Sequence, residues 1–195
     1  MHVFRTTALV FAILGAVNAN AQTRVYNNFH AHHSSNSHSA ICVKGAASAQ
    51  CGEHPSSLFM ATAVAFSPSA SGLLSYIDVA AGQYSGTQGV AVTLVKDNAG
   101  APSLTDPILE GWVLTSKEIA CCEVYLHEKL SSVAAPSLTA GTTYWIVMTP
   151  VGFDSFTYWQ RSYDDQQTKH ALSYDGGVTW QNDLSIAQVF DVYIQ

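Results

Sequence analysis

The sequence predicts an all-β chain folded as a two-sheet antiparallel β-sandwich of jelly-roll-like form. Three observations predict it. Period-two runs rich in β-branched and aromatic residues recur along the chain, as in Val90–Val95, Thr143–Met148 and Phe190–Ile194. Turn chemistry separates them at near-regular spacing: Ser67-Pro68, Asp97-Asn98-Ala99-Gly100, Thr105-Asp106-Pro107, Ala140-Gly141 and Asp175-Gly176-Gly177. No window of helix length carries a sustained 3.6-residue apolar stripe, and many short strands at such spacing make a sandwich.

In chain order, a first strand falls near Val25–Phe29. Residues 27–57 are polar and rich in Ser and His, and otherwise read as irregular. Strands follow at Leu58–Phe66, Leu73–Val79, Val90–Val95, Ile108–Thr115, Glu123–Leu130, Thr143–Met148, Phe156–Arg161, His170–Tyr174, Val178–Gln181 and Phe190–Ile194. The Ala-rich run Phe59–Ala65 is where a helix competes, but it is short and runs into Ser67-Pro68. Trp145 shares a parity with Thr143 and Val147 and is expected in the core.

Residues 1–21 read as a secretory signal peptide. Arg5 gives the positive start, Ala8–Val17 the short apolar stretch and Ala19-Asn20-Ala21 the cleavage site, so the mature chain is expected to begin at Gln22. The stretch is too short for a membrane span. The expected location is therefore secreted or periplasmic, where disulfides form. Residues 22–57 and the body 58–195 together make one domain. Of the 8 basic residues, Arg5 leaves with the leader, and 7 then stand against 14 acidic ones. No basic block exists, which argues against nucleic acid as a partner. Cys42, Cys51, Cys121 and Cys122 allow three pairings, and Cys42–Cys51 with Cys121–Cys122 is the economical one. The absence of C-x-x-C leaves thioredoxin chemistry and a zinc ribbon unsupported.

Three stretches carry a family likeness: Ala65-Phe66-Ser67-Pro68-Ser69-Ala70-Ser71-Gly72-Leu73-Leu74-Ser75-Tyr76-Ile77-Asp78-Val79-Ala80, then Val92-Thr93-Leu94-Val95-Lys96-Asp97-Asn98-Ala99-Gly100-Ala101-Pro102, then Leu138-Thr139-Ala140-Gly141-Thr142-Thr143-Tyr144-Trp145-Ile146-Val147. Together, over roughly Val25 to Ile194, they resemble the bacterial extracellular "choice-of-anchor" β-sandwich domains. The resemblance implies a fold and an exported location, and it brings no catalytic residues. Members with a sorting tail end in a Pro-Glu-Pro-type motif, an apolar helix and basic residues. This sequence stops at Ile194-Gln195, so the expected product is released rather than anchored.

Five groups of residues suggest chemistry. Phe153, Phe156, Tyr158, Trp159 and Tyr163 crowd a segment that also holds Asp154, Arg161, Asp164 and Asp165. Trp159, Arg161 and Tyr163 share a parity, so two exposed aromatic platforms are expected around a cation, with Asp164 and Asp165 at the rim; such a surface suits a sugar. The competing reading has Trp159 covering a sheet edge. His30, His32 and His33, with His38, His54 and Glu53 near in sequence, could hold Zn²⁺ or Cu²⁺, or be a solvated loop. Asp97, Asn98, Asp164 and Asp165 could bind Ca²⁺, though turns use the same residues. Glu110 and Glu123 could be posed as glycosidase carboxylates, with nothing in their spacing to single them out. Ser173–Trp180 matches the Asp-box S-x-D-x-G-x-T-W, which caps a hairpin; one copy builds no propeller. There is no G-x-S-x-G, H-E-x-x-H or P-loop.

No catalytic residue is assigned. The expected function is a secreted, non-enzymatic binding or structural module of the bacterial envelope or extracellular matrix, contacting polysaccharide or an extracellular protein. The alternatives are a secreted carbohydrate-active enzyme of jelly-roll type and a periplasmic metal-binding protein using the His segment.

Overall fold

A computed structural model describes residues 21–29, 40–49, 51, 57–119, 127–161, 167–186 and 188–195. Among these residues fourteen strands make two antiparallel sheets packed as a sandwich. They are β1 (Thr23–Asn27), β2 (Ala40–Lys44), β3 (Ala61–Phe66), β4 (Gly72–Ser85), β5 (Val90–Asn98), β6 (Ala101–Pro102), β7 (Glu110–Leu114), β8 (His127–Ser131), β9 (Ser137–Leu138), β10 (Tyr144–Pro150), β11 (Phe156–Gln160), β12 (Gln167–Ser173), β13 (Gln181–Ile186) and β14 (Phe190–Ile194). The first sheet runs β1-β14-β4-β11-β2, with β8 and β9 also paired to β4; the second runs β13-β12-β3-β10-β5-β6, with β7 on β5. The chain crosses repeatedly from one sheet to the other, as the jelly-roll-like reading expects. Among the described residues no helix is long and apolar enough to cross a membrane.

The main core lies between the sheets. Ile77, Val79, Ala81, Trp159, Phe190 and Val192 of the first sheet meet Val64, Phe66, Leu94, Tyr144, Ile146 and Met148 of the second. A smaller apolar layer covers the opposite face of the second sheet. There Trp145 and Val147 lie over Ala63, Ala65 and Ala171, under Leu104 and Trp180. The alanines stand directly across the strands from the large residues, Trp145 opposite Ala65 and Val147 opposite Ala63. Small beside large lets an indole fill the layer without voids. This explains why Ala61–Phe66 is a strand: both its faces are buried, so the continuous apolar run reads helix-like in composition but satisfies a two-sided sheet. Trp145 is fully buried as expected, although the face toward the main core is that of Tyr144, Ile146 and Met148.

Residues 27–57 are not wholly irregular. Ala40–Lys44 forms β2, pairing with β11. Ile41 and Val43 are apolar on one face, while the other carries Cys42, bonded to Cys51, and Lys44, whose buried ammonium donates to the Gly45 carbonyl at 3.4 Å. The short alternation was masked by its Ser- and His-rich surroundings. The Cys42–Cys51 bridge realises the first half of the economical pairing; Cys121 and Cys122 lie outside the described residues. The expected strand at Val178–Gln181 begins only at Gln181, because the Asp-box turn occupies the residues before it.

The Asp97–Gly100 turn closes β5 onto β6 through Ala99 and Gly100, with φ of 52° and 93°. Two central residues at positive φ define a type I′ hairpin, which favours Asn-Gly. An Ala there carries the left-handed penalty of its Cβ. Ala99→Asn is expected to stabilise the fold by about 0.5–1 kcal/mol and raise the melting temperature by about 2–4 °C. An unchanged or lower value in a thermal melt would count against a left-handed Ala99. Trp145→Ala is expected to lose about 3–5 kcal/mol in chemical denaturation, whereas Trp145→Phe should lose far less. A Trp145→Ala midpoint close to wild type would refute the second apolar layer.

Candidate functional site

The aromatic segment expected to carry ligand contacts folds with its parity reversed. Trp159 is not exposed. It is 0% accessible, lies opposite Ala81 on β4 and Ile41 on β2, and its Nε1 donates to the Val189 carbonyl at 3.0 Å. The reason is topological. β11 is a central strand flanked by β4 and β2, so one of its faces must enter the sandwich core, and that face carries Thr157 and Trp159. The edge-cover reading fails for the same reason. Arg161, on the Trp159 parity, sits half-buried beyond the strand end and bridges to Gln188, away from the outward row of β11. Tyr163, Asp164 and Asp165 lie outside the described residues. A single-residue change of parity exchanges every side chain between faces, so Phe156 and Tyr158 share the outer row and are unevenly buried, Phe156 at 1% accessible and Tyr158 half-buried.

Those two residues join Tyr84 of β4. Tyr84 is 51% exposed; its ring meets Tyr158 edge-on at 5.5 Å and Phe156 at 5.0 Å. Burial, and then the neighbouring Tyr84, push the Tyr158 hydroxyl pKa upward. Directly opposite Tyr158 on β4 stands Gly82, where an added Cβ would meet nothing within 4 Å. The missing side chain leaves open space above Gly82, beside Tyr158. On the far side of Tyr158 lies Cys42 with its disulfide to Cys51, which fixes the neighbouring strand.

The same outward row of β4 runs back through Ala80 and Asp78 to Tyr76. Tyr76 stacks on Tyr193 of β14 at 4.1 Å, and Lys129 of β8 places Nζ 3.9 Å from its centroid. β14 and β8 pair with the same stretch of β4 from opposite sides, so both faces of the Tyr76 ring are filled. It is therefore no free platform, and burial together with Tyr193 pushes its hydroxyl up to about 12. Beside it opens a polar cavity of about 280 Å³ lined by Arg24, Asn27, Phe29, Asp78, His127, Asp191 and Tyr193. Asp78 and Asp191 are direct cross-strand partners. Asp191 Oδ2 accepts from Arg24 Nη1 at 3.3 Å and from the Tyr193 hydroxyl at 3.4 Å. Burial pushes the Asp191 carboxyl pKa up against the lowering effect of Arg24. The His127 ring stacks on Phe29 at 4.3 Å.

Sequence reasoning missed this cavity, although its signal was present. Tyr76 and Asp78 share one parity in their strand, and Asp191 and Tyr193 share one in theirs. Only the pairing of the two strands was absent.

The other candidates resolve as follows. His30, His32 and His33, with His38, Glu53 and His54, lie outside the described residues; among the described residues no group of three His, Cys, Asp or Glu could hold a metal ion. Asp97 is occupied by its own turn and by Trp145, accepting from the Gly100 amide at 2.9 Å and from Trp145 Nε1 at 2.8 Å. Asn98 Nδ2 donates to Asp106 at 2.7 Å. Glu110 is engaged by the loop that follows β8. It accepts from the Ser132 hydroxyl at 2.5 Å and from the amides of Val133 at 2.9 Å and Ala134 at 3.1 Å. Burial works to raise its pKa, and these donors hold it below the ordinary carboxylate value. Glu123 lies outside the described residues.

No family model, curated protein or solved structure matches this chain.

The Asp-box caps the β12–β13 hairpin. Asp175 accepts from the Thr179 hydroxyl at 2.6 Å, the Ser173 hydroxyl at 2.7 Å, and the amides of Thr179 at 2.9 Å and Val178 at 3.1 Å. Gly176 and Gly177 take φ of 78° and 98°, and Trp180 packs into the second apolar layer. The Thr179 hydroxyl and amide, then Ser173, hold the Asp175 carboxyl far below its ordinary value of 3.8. A depressed carboxylate stabilises the turn above its unfolded pKa, and the contribution is lost as pH falls through the lower folded value. Amide exchange at Val178 and Thr179 is therefore expected to stay protected down to about pH 4 and to accelerate below it. Asp175→Asn should abolish that pH dependence; identical profiles for the two proteins would contradict the assignment.

Proposed function

We propose that the protein is an exported, non-enzymatic binding module that holds a polysaccharide on the outer face of its first sheet. The observation that carries this reading is the edge-on pair of the exposed Tyr84 and the half-buried Tyr158 beside the open space above Gly82. Sugar rings present C–H faces to aromatic walls and hydroxyls to neighbouring polar groups. The signal-like residues 1–21, the Cys42–Cys51 bridge and the likeness to choice-of-anchor domains support export.

A second reading, a glycoside-active enzyme, draws on Asp78 and Asp191. Residues directly opposite across antiparallel strands have Cβ atoms roughly 4.5–5.5 Å apart, compatible with the roughly 5–5.5 Å carboxyl spacing of retaining glycosidases. The Arg24 contact and the burial of Asp191 weigh against an acid that must reach a glycosidic oxygen.

Affinity electrophoresis through gels containing soluble neutral β-glucan, galactomannan or chitin-derived oligosaccharide distinguishes these. At least one glycan should retard wild type. Tyr84→Ala with Tyr158→Ala should remove the retardation with little change in melting temperature. Gly82→Leu should do the same by filling the open space there, where an added Cβ meets nothing within 4 Å. Unchanged retardation of both variants would sink the proposal, and release of new reducing ends would favour the enzyme.

A further inference from the structure

We infer that the cleft where β3 ends and β10 and β12 begin, beside β1, holds the anionic group of an acidic sugar, a uronate carboxylate or a sulfate ester. This is a second site, sharing no residue with the row of Tyr84 and Tyr158; the choice of a sugar rests on the polysaccharide reading. The cleft has a volume of about 370 Å³, within the range of small-ligand sites. Its lining is rich in hydroxyls. Ser67 and Thr143 place their oxygens 3.5 Å apart, and the Thr168 side chain hydrogen-bonds the Tyr26 hydroxyl. Burial pushes the Tyr26 pKa upward, so the phenol keeps its proton and stays neutral. Among the described residues no acid lines the cleft.

Lys169 supplies the charge, and the fold fixes where it stands. His170 pairs with Val64 and Trp145 with Ala65, so Lys169 falls on the same face of the second sheet as Ala65 and Trp145. Its Nζ lies 5.4 Å from the indole centroid, where a ring face attracts a cation. Gly100 stands close by, and a Cβ added there would come within 2.9 Å of Nζ. The ammonium is thus held between an aromatic face and a turn, which reduces the freedom it loses on binding. Among the described residues it joins no ion pair. Its N–H donors are therefore available to an anion, and such charge-assisted bonds are the strong kind.

A second cation flanks the cleft. Lys96 is exposed and lies across from Tyr144, which in turn lies across from Phe66 of the lining, so two strand spacings, about 10 Å, separate them. The acids at this end, Asp97 and Asp106, are held by neutral donors: Asp97 by the Gly100 amide and the indole Nε1, Asp106 by Asn98. Neither pairs with a lysine. The formal net charge of −6 repels a polyanion at long range. Affinity must therefore come from contacts within the cleft, and a sugar with one charge and several hydroxyls per unit matches one ammonium among hydroxyls.

The test is calorimetric titration of the full protein at about 0.05 M and about 0.3 M salt with four probes. They are galacturonate oligomers, the same oligomers methyl-esterified at their carboxyls, sulfated galactose oligomers of equal length, and inorganic sulfate. Wild type should bind one of the charged oligomers about tenfold or more tightly than the esterified one, and less tightly at the higher salt. The tighter of the two identifies the group held as carboxylate or sulfate ester. Lys169→Met keeps a stem over the indole and should erase the preference. Thr143→Val is the second variant and should weaken it, with thermal melts to report the folding of both. Lys117→Gln, beyond the Val90 end of β5, should leave it unchanged. Equal affinity for charged and esterified oligomers, or binding of neither, overturns this inference. Charged-oligomer binding that persists in Tyr84→Ala with Tyr158→Ala and is lost in Lys169→Met sustains the cleft independently of the outer face. The reverse pattern overturns the cleft and leaves the polysaccharide reading standing. Inorganic sulfate bound as tightly as the charged oligomers overturns the assignment to a sugar.

Discussion

Strand β4 is the constraint on which the rest depends. Its 14 residues pair with β14 and β8 over the first half, with β11 over the second and with β9 at its start. Five strands of the first sheet therefore share one pleat. Wherever Ile77, Val79 and Ala81 point inward, Tyr76, Asp78, Ala80, Gly82 and Tyr84 must point outward. The inward set is fixed by its burial against the second sheet. The outward set is then held in a fixed row, with aromatic rings at its ends and an acid and a glycine between, even though nothing in the core requires those identities. Rigid presentation of such a row is what a surface needs if it is to recognise anything at low entropic cost.

The second sheet answers a different demand. Both of its faces are buried, one in the main core and the other under Trp180 and Leu104. A residue of β10 is thus buried whichever way it points, which is why Trp145 and Ile146 are equally inaccessible. The alanines of β3 make this possible by leaving volume for the indole. The indole is not purely apolar either. Its Nε1 donates to Asp97, which also holds the Gly100 amide and so ties the layer to the β5–β6 turn. Core packing and turn geometry share one carboxylate there.

Much of this was legible in the sequence and some was not, for identifiable reasons. Alternation located most strands, since a half-buried pleat leaves a period of two. It does not say which parity faces inward when both parities are apolar or aromatic. Phe156, Tyr158 and Trp159 offered large rings on both faces of β11, and only the flanking of β11 by β4 and β2 decides that Trp159 is the inner one. β2 was missed because five residues within a Ser- and His-rich stretch give too short a pattern. The Asp-box was readable in full, because its Ser, Asp, Gly and Thr act on one another over eight consecutive residues. The Asp78–Asp191 pair, 113 positions apart in sequence, could emerge only from strand pairing.

Among the described residues, the two well-buried acids make the physical distinction between a structural carboxylate and a candidate functional one. Glu110 is 7% accessible and Asp191 is 4% accessible, so desolvation opposes ionisation in both. For Glu110 the Ser132 hydroxyl and successive loop amides outweigh burial, and the carboxylate closes a loop with no capacity left over. Asp191 has a guanidinium and a phenol on one oxygen and burial prevails, so its pKa moves the opposite way. The difference is one of donors, not of depth. Sheet geometry accounts for it. Glu110 sits where β7 passes a loop whose amides converge, whereas Asp191 sits mid-strand between the β1 and β4 ladders, where the Phe29 amide and Arg24 do not offset its burial.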